Sequence, residues 1–599
     1  MTDFIARLKQ RKLVQWAVAY VAAAFAALQG IDIVATRFGW PDTVERLLII
    51  AICVGFFVTL LLAWYHGEQG RQRASGTELL LIALVLAVGG GLLWHFGKTG
   101  SPVEATNTPA NVASAQESAS ASSPASAPFN PPAGTLAVLP FTNLNGDPKQ
   151  QYFSDGITEE LTNALGQNAA LTVIAWDTAS KFRDSHESPN AVGVALNVAN
   201  LLHGSIEREN GAVRVIAELV DTRTGKQLWS DHYDDSAANV FQVQDKISAA
   251  IADALKVKFA SLAPAPTVNP KAHDLVLQAH ALMETDRTAA PIEQARALLE
   301  QAIALDPGYA DAHAKLAGAW LHLTQISTLP LKDALPKARA EANQALALDP
   351  RNVTALLVLG EDDVAEHKIA QAKAKFERAL ALDPSDADAH LDYAPVLPMK
   401  QGLAQSQEAV QLDPRNATAQ NDLAIAYLDL GEYAQAVPPL QALMRLAPHS
   451  ADSAMILALT YSLLHRPEDA VKAFDLAQPD TELAKALVAA GRLTYQSVLD
   501  PKLHARALAA VDALRKRSDL DPNSMSDVML LDLALGQNDI MLEQLPKLCA
   551  ASPIICTDLS LFPGWIPLRG QPAFQALVKK YDNASQTPAS TASSAPPSP

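Results

Sequence analysis

The chain has 599 residues, with 47 Lys and Arg against 64 Asp and Glu, which gives a formal net charge of −17. This length indicates several domains, and so acidic a surface disfavours nucleic acid, because no locally basic domain is present to bind phosphates. Three cysteines exclude a disulfide scaffold and thiolate zinc clusters. Hydrophobic residues make up 49% and charged residues 19%, a balance typical of membrane segments combined with soluble domains.

Three apolar runs occupy the first hundred residues, at 14–34, 47–64 and 79–96. Each is close to the roughly 20 residues with which a helix crosses a bilayer. Basic residues before the first run also suit a cleavable signal peptide, but that run is long and two more follow directly. We therefore expect residues 1–99 to form a membrane anchor of three transmembrane helices. The distribution of Lys and Arg in the short flanks predicts a cytoplasmic N-terminus and places everything after about residue 98 across the membrane.

Residues 100–133 are rich in Ala, Ser and Pro, and the tail 583–599 has the same composition. Such segments cannot bury enough apolar area to offset their chain entropy, so both are predicted to be disordered. Between 134 and 262, strand and helix patterns alternate and predict an α/β domain. Its elements are expected as strands at 135–141, 171–175, 200–207, 213–220 and 227–233, and as helices at 155–167 with Asp155 as N-cap, 188–198 and 240–257.

A repeat of about 34 residues follows. Leu-Asp-Pro ends at Pro307, Pro350, Pro384 and Pro414, and Leu-Ala-Pro ends at Pro448. Small residues at fixed positions and a final proline are typical of the tetratricopeptide period and predict an all-α solenoid over 270–479, with degenerate helical repeats and a cap at 480–582.

Two repeats depart from this period. The one that ends at Pro350 has extra residues, expected between Gln325 and Leu335. The one that ends at Pro414 is short, because Pro395 and Pro398 should truncate its first helix. Asp363 stands where an aromatic residue is expected.

The segments LAVLPFTNLNGDPKQQYFSDGITEELTNAL, LLHGSIERENGAVRVIAELVDTRTGKQLWSDHYD and VFQVQDKISAAIADAL resemble the TolB-like domain of bacterial envelope proteins. The chain as a whole resembles a bacterial group that places this domain between a membrane segment and tetratricopeptide repeats. The resemblance implies a bacterial inner-membrane protein with residues after about 98 in the periplasm. Relatives carry a class III adenylate cyclase or a winged-helix domain at the N-terminus. Only 13 residues precede the first apolar run here, so we expect neither domain.

Several ionisable residues of the α/β domain are candidates for catalysis, but their positions favour structural roles. Catalysis needs groups that converge in a site without water, and no combination of nucleophile, base and orienting group is visible. Asp147 is expected in a turn, Asp155 at a cap, and Glu159 with Glu160 at an exposed helix start. The remaining candidates are His203, Asp231, His232 and Asp234. We expect a protein that is not an enzyme, with no catalytic, cofactor-binding or metal-ligating residues.

Cys549 and Cys556 lie seven residues apart with Pro553 between them. On an unbroken helix their Cα atoms would be about 10 Å apart, which is too far for a disulfide. Because Pro553 interrupts the helix, both a hairpin disulfide and two reduced buried thiols stay open. Cys53 lies within an apolar run and is expected to pack there.

A tetratricopeptide solenoid presents a concave groove that binds peptides or partner helices. The resemblance implies groove positions, for each of which repeat packing is an equal alternative: Thr354, Leu357, Glu361, Asn421, Ile425, Leu428, Met455 and Leu459. Because acidic residues outnumber basic ones after residue 100, a basic or apolar partner is favoured.

The first hypothesis for function is a membrane-anchored interaction scaffold or sensor that binds a protein or peptide. The alternative is a transmembrane signalling receptor acting on a separate cytoplasmic effector. An enzyme, such as a cyclase or hydrolase, has no support from the residues. The oligomeric state stays open.

Overall fold

The computed structural model describes residues 129–183, 185, 187–236, 239–257, 268–285, 288–326, 329–552, 556 and 559–581. The three predicted transmembrane helices, Cys53, nearly all of the 100–133 linker and the 583–599 tail lie outside these residues. Within the part of the chain that the structure describes, no helix combines the length and apolarity needed to cross a membrane.

The sheet region, residues 129–257, is built on one mixed sheet with strand order β3-β1-β4-β5-β6, and β2 pairs with β4. Strands β1 to β4 pair in parallel, whereas β4, β5 and β6 form an antiparallel meander. Asn210 and Gly211 turn β4 into β5 with φ values of 51° and 81°, the left-handed conformation that a two-residue hairpin needs. The strands are β1 Thr135–Val138, β2 Thr142–Asn143, β3 Thr172–Val173, β4 Asn200–Glu209, β5 Ala212–Asp221 and β6 Gln227–Ser236.

Helices cover the sheet where its side chains are apolar. Every second side chain of β5 points into the core, because Val213, Val215, Ala217 and Leu219 are all at most 2% exposed. They form one core with the apolar faces of α1 and α4. The helices are α1 Gln151–Gly166, α2 Trp176–Ala179, α3 Pro189–Leu196 and α4 Val240–Ala254.

The predicted N-cap of the first helix is wrong. Asp147 caps a 3-10 turn at Pro148–Gln150, and α1 continues directly from this turn at Gln151. Asp155 therefore lies inside the helix, where it accepts from Gln151 and forms an ion pair with Arg183.

Helix pairs make up the repeat region, residues 268–581. The pairs are α5 Pro270–Thr285 with α6 Ala289–Leu305, α7 Ala310–Ile326 with α8 Leu331–Leu348, α9 Val353–Ala365 with α10 Ile369–Leu382, α11 Ala387–Tyr393 with α12 Met399–Leu412, α13 Ala417–Asp429 with α14 Tyr433–Leu446, α15 Ala451–Leu463 with α16 Pro467–Ala473, α17 Glu482–Leu499 with α18 His504–Arg515, and α19 Pro522–Ala534 with α20 Asn538–Ala551; α21 Pro572–Tyr581 follows.

The helices of a pair approach closely where one of them carries a small residue. A β-carbon on Gly360 of α9 would lie 2.4 Å from the Phe376 ring of α10, and Phe376 itself is fully buried. The first helices of neighbouring pairs also contact one another, for example α7 with α9 and α15 with α17. These first helices therefore form the inner layer of the solenoid, and the second helices form its outer layer.

The irregular repeats are explained by particular residues. Helix α11 has only 7 residues, as the two prolines after it predict. The extra residues of the second repeat lengthen its helices to 17 and 18 residues as well as its connection. Asp363 is 6% exposed and forms an ion pair with Lys375 across its helix pair, so a polar contact replaces the expected aromatic packing.

Candidate functional site

The eight predicted groove positions divide into two sets. Four of them are buried in the hydrophobic core between helices: Leu357, Leu428, Met455 and Leu459, with exposures of 8%, 1%, 1% and 5%. Their side chains pack against neighbouring helices, which is the alternative that the sequence left open. Thr354, Glu361, Asn421 and Ile425 are exposed or half-buried on the inner layer. A partner could touch only this second set without the helices moving apart.

Acidic side chains surround the open positions. Glu361 on α9 is joined on the inner layer by Asp388 and Asp392 of α11 and by Asp422 of α13. Burial raises the pKa of Glu361 to about 6, and burial together with neighbouring carboxylates raises the pKa of Asp388 to about 7. The side chains of Glu361 and Asp388 nonetheless remain in contact with solvent. Water therefore weakens the repulsion between them. The result is an open, strongly acidic inner face.

The sheet region packs directly against the first repeat. Leu277 of α5 belongs to the core of the sheet region. Around it, Asp274 accepts hydrogen bonds from Tyr152 at 2.9 Å and from Arg208 at 2.6 Å. These partners are far apart in the chain, and no local pattern links them.

Histidines of α5 pair with the two glutamates that were expected at an exposed helix start. His273 lies 2.8 Å from Glu160, and His280 contacts Glu159. Both glutamate side chains are largely covered, at 24% and 14% exposed, so the prediction of an exposed helix start is wrong. Burial alone would lower the pKa of His273, but the Glu160 carboxylate outweighs it and raises that pKa.

A second set of contacts joins the sheet region to turns further along the solenoid. The Val173 amide donates to Ser385 Oγ at 3.1 Å, and the Ala175 amide donates to the Leu412 carbonyl at 2.8 Å. Thr178 donates its hydroxyl to the Asp413 carboxylate. We call both sets together the inter-region interface. The sheet region thus contacts the first helix pair and the turns that precede the fourth and fifth pairs.

The candidate catalytic residues do not converge. His203 and His232 lie on β4 and β6, separated by β5 and offset along the strands. Asp231 accepts from the His232 amide at 2.8 Å, and Asp234 forms an ion pair with Arg214 at 2.6 Å. Asp147 caps its turn, as predicted. Among the described residues, no group of three or more His, Cys, Asp or Glu side chains is arranged to hold a metal ion.

Cys549 and Cys556 are joined as a disulfide in the structure, with their Cα atoms 5.5 Å apart. Cys549 belongs to the last turns of α20, and both residues are fully buried in the core of the cap. Their pairing in the cell stays a prediction.

The sequence model of the tetratricopeptide repeat family matches residues 357–397, 401–451 and 421–485. These ranges coincide with the stacked helix pairs around α9 to α17. The C-terminal region is a tetratricopeptide-repeat solenoid. The match covers neither the sheet region nor the first two helix pairs of the solenoid.

A curated relative is similar to part of the chain. It is named putative adenylate cyclase 3, from Rhizobium meliloti (strain 1021), and is 33% identical over 224 residues, or 37% of this chain. The match spans 36% of that protein, so this chain corresponds to about a third of its relative's length.

Solved structures are similar to part of the chain. PilF of Pseudomonas aeruginosa is 18% identical, covering 34% of this chain and 89% of its own, with a TM-score of 0.29. YrrB, a TPR protein with an unusual peptide-binding site, is 25% identical over 31% of this chain and 95% of its own, with a TM-score of 0.25. PilW, a type IV pilus biogenesis factor, is 20% identical, covering 35% of this chain and 92% of its own, with a TM-score of 0.29.

Proposed function

We propose that the chain is a non-catalytic interaction scaffold, and that the inner face of its tetratricopeptide repeats binds a basic segment of a protein partner. The observation that carries this proposal is the set of open positions Thr354, Glu361, Asn421 and Ile425 on an acidic inner layer. A Lys- or Arg-rich segment would neutralise carboxylates that now repel one another, and an acidic segment would add to that repulsion.

The membrane anchor and the periplasmic location are part of the same proposal. Three apolar runs of near-spanning length support the anchor, and the basic residues that flank them support the orientation. A paired Cys549 and Cys556 would suit an oxidising compartment such as the periplasm. In this arrangement the anchor holds the repeats at the membrane surface, where they collect a partner.

Adenylate cyclase activity, suggested by the relative's printed name, is not part of the proposal. The match covers 36% of that protein, and the candidates His203 and His232 are separated by β5 and offset along their strands. The signalling alternative would require the predicted transmembrane helices to transmit a signal as well as to anchor the chain. No contact among the described residues favours it.

Binding of matched peptides to the purified full chain in nanodiscs tests the proposal. A Lys-rich peptide is expected to bind at least about tenfold more tightly than a Glu-rich peptide of the same length, and salt should weaken the binding. The double variant Glu361→Gln with Asp422→Asn should lose about threefold or more in affinity. Glu408→Gln, an exposed substitution on the outer helix α12, should bind like the wild type.

Photo-crosslinking in cells locates the contact. A photoreactive residue at Asn421, on the inner layer, should give a discrete adduct, and one at Ala374, exposed on the outer helix α10, should not. Equal affinity for both peptides, together with equal adduct yields at both positions, would reject the inner face as the binding surface.

A further inference from the structure

The two edges of the mixed sheet differ in length and in what covers them. Strand β3, at one edge, has only 2 residues, and its Val173 amide donates to Ser385 Oγ of the repeats at 3.1 Å. Strand β6, at the other edge, has 10 residues, none of which is buried. Among the described residues, no strand pairs with the outer edge of β6. The repeats therefore contact the short edge of the sheet, and the long edge presents backbone groups for pairing.

Alternate residues of β6 direct their backbone groups away from the sheet. At the end of β5, the Asp221 amide donates across the turn to the Lys226 carbonyl at 2.9 Å. Because a strand bonds to its two neighbours with alternate residues, the odd-numbered residues of β5 bond to β6. The odd-numbered residues of β6 lie opposite them. The N–H and C=O groups of Ser230, His232 and Asp234 therefore point outward.

Aspartate side chains occupy two of the outward amides. The His232 amide donates to the Asp231 carboxylate, and the Ser236 amide donates to the Asp235 carboxylate, each at 2.8 Å. Both bonds join neighbours in the chain and are exposed, so the carbonyl oxygens of an added strand can replace them. The two carboxylates are then available to cations. Charged side chains on an edge strand also discourage pairing with acidic strands, so this edge is selective.

The side chains on the helix-covered face of β6 alternate between aromatic and acidic. Trp229 and Tyr233 are half-buried against the core of the sheet region, and Asp231 lies between them. The Asp231 side chain is 51% exposed, and within the described part of the chain no Lys or Arg forms an ion pair with it. A Lys or Arg side chain on an adjacent strand would pack its stem on an aromatic ring and bring its charge to this carboxylate.

We propose that the outer edge of β6 binds an extended basic segment of a protein partner. The segment adds to the sheet as a further strand and pairs its backbone with Ser230, His232 and Asp234. It carries Lys or Arg at every second position, on the face that presents Asp231 and the two aromatic rings.

Charge argues against a second copy of this chain as the occupant. Of the aspartates of β6, Asp234 is bound by Arg214 at 2.6 and 3.2 Å, and Asp235 lies 3.8 Å from Lys246. Asp231 has only the neighbouring His232 ring, at 3.9 Å. Two β6 strands side by side would bring two such acidic rows together without adding a cation, and like charges on neighbouring strands are destabilising. A basic strand supplies the charge that this row lacks.

Hydrogen exchange of the full chain in nanodiscs tests the proposal with two peptides of equal length. In one peptide Lys and Val alternate, and in the other Glu and Val alternate. At a concentration about ten times its Kd, the Lys peptide should raise the protection of the Ser230, His232 and Asp234 amides about tenfold. Amides of β5, which bond within the sheet, should not change. The Glu peptide should protect neither strand.

Backbone methylation of the Lys peptide separates strand pairing from attraction between charges. Methyl groups on the amide nitrogens of one edge of the peptide remove its donors to β6, whereas methyl groups on the other edge leave them intact. The first peptide should lose binding to β6 and the second should retain it. This comparison does not alter the fold of the protein. Equal binding of the two methylated peptides would overturn the proposal.

Variants of the chain assign the contact to β6. Ser230→Pro removes one outward amide and keeps the bonds of the odd-numbered residues to β5, so the Lys peptide should bind β6 about fivefold or more weakly. Ser230→Ala keeps that amide and should bind like the wild type. Asp231→Asn should weaken binding about threefold, because it removes the uncompensated charge.

The same measurement distinguishes this edge from the inner face of the repeats. Glu361→Gln with Asp422→Asn should leave the protection of β6 by the Lys peptide unchanged, because neither residue belongs to the sheet region. Unchanged protection of β6 in Ser230→Pro would contradict the proposal. Protection of β6 that rises with protein concentration, without peptide, would show that a second copy occupies the edge and would also overturn it.

Discussion

Leu277 on α5 packs against Gly156 on α1, with its Cδ2 atom 2.5 Å from the position that a β-carbon on Gly156 would occupy. This contact places a residue of the first tetratricopeptide repeat within the hydrophobic core of the sheet region. The two regions therefore share part of a core and are not simply linked by the chain between them.

Replacing Leu277 by Ala should destabilise both regions together. The side chain is 3% exposed, and the loss of a buried leucine typically costs about 2–5 kcal/mol. We expect a lower thermal midpoint in circular dichroism of the full chain and reduced protection of the amides at the inter-region interface. Leu305→Ala, at a position 47% exposed on α6, should change neither. A loss of stability without any loss of protection would show that Leu277 supports the repeat alone.

Sequence patterns predict the secondary structure of the sheet region well because its signals are local. Alternating residues such as Val213 and Val215 identify β5, and Ser188 marks the start of α3. The start of α1 is missed, since a 3-10 turn capped by Asp147 leads into the helix before Asp155. The repeats are equally readable, because small and aromatic residues such as Gly360 and Phe376 recur at fixed spacing.

The inter-region interface could not be predicted in the same way. Its contacts join residues far apart in the chain, such as Glu160 with His273 and Thr178 with Asp413. A glutamate on a helix is ordinarily solvated, so Glu160 gives no sign that a histidine covers it. Half of the predicted groove positions are buried for a related reason: the tight stacking of inner helices covers side chains such as Met455 and Leu459.

Gly360→Ala tests the packing of the repeats against helix propensity. Alanine favours a helix over glycine by about 1 kcal/mol, but its β-carbon would lie 2.4 Å from the buried Phe376 ring. We expect a net destabilisation of about 1–3 kcal/mol in chemical denaturation. Gly318→Ala on α7 is the matched control, since nothing lies within 4 Å of its added carbon, and it should stabilise the protein. The same sign for both variants would contradict this explanation.

A pair of carboxyl groups predicts pH dependence in the C-terminal repeats. Asp527 of α19 is 3% exposed, and burial, followed by the charge of Asp452 on α15, raises its pKa. Its contribution to stability is present below the ordinary carboxyl pKa and is lost as the pH rises through the raised value. Asp527→Asn should therefore reduce the fall in thermal midpoint between pH 5 and pH 8, by about 2 °C or more. Asp480→Asn, at an exposed position, should leave that fall unchanged.

The pairing of Cys549 and Cys556 provides a test of both structure and compartment. Because an oxidising compartment maintains disulfides, alkylation of the full chain taken directly from cells should leave both thiols unmodified until a reductant is added. Reduction should then lower the stability of the cap around α20 by about 2–3 kcal/mol, since the closed loop is short. Cys549→Ser with Cys556→Ser should match the reduced protein and not respond to the reductant. Immediate alkylation of both thiols without a reductant would instead indicate a reducing compartment and would count against the periplasmic location.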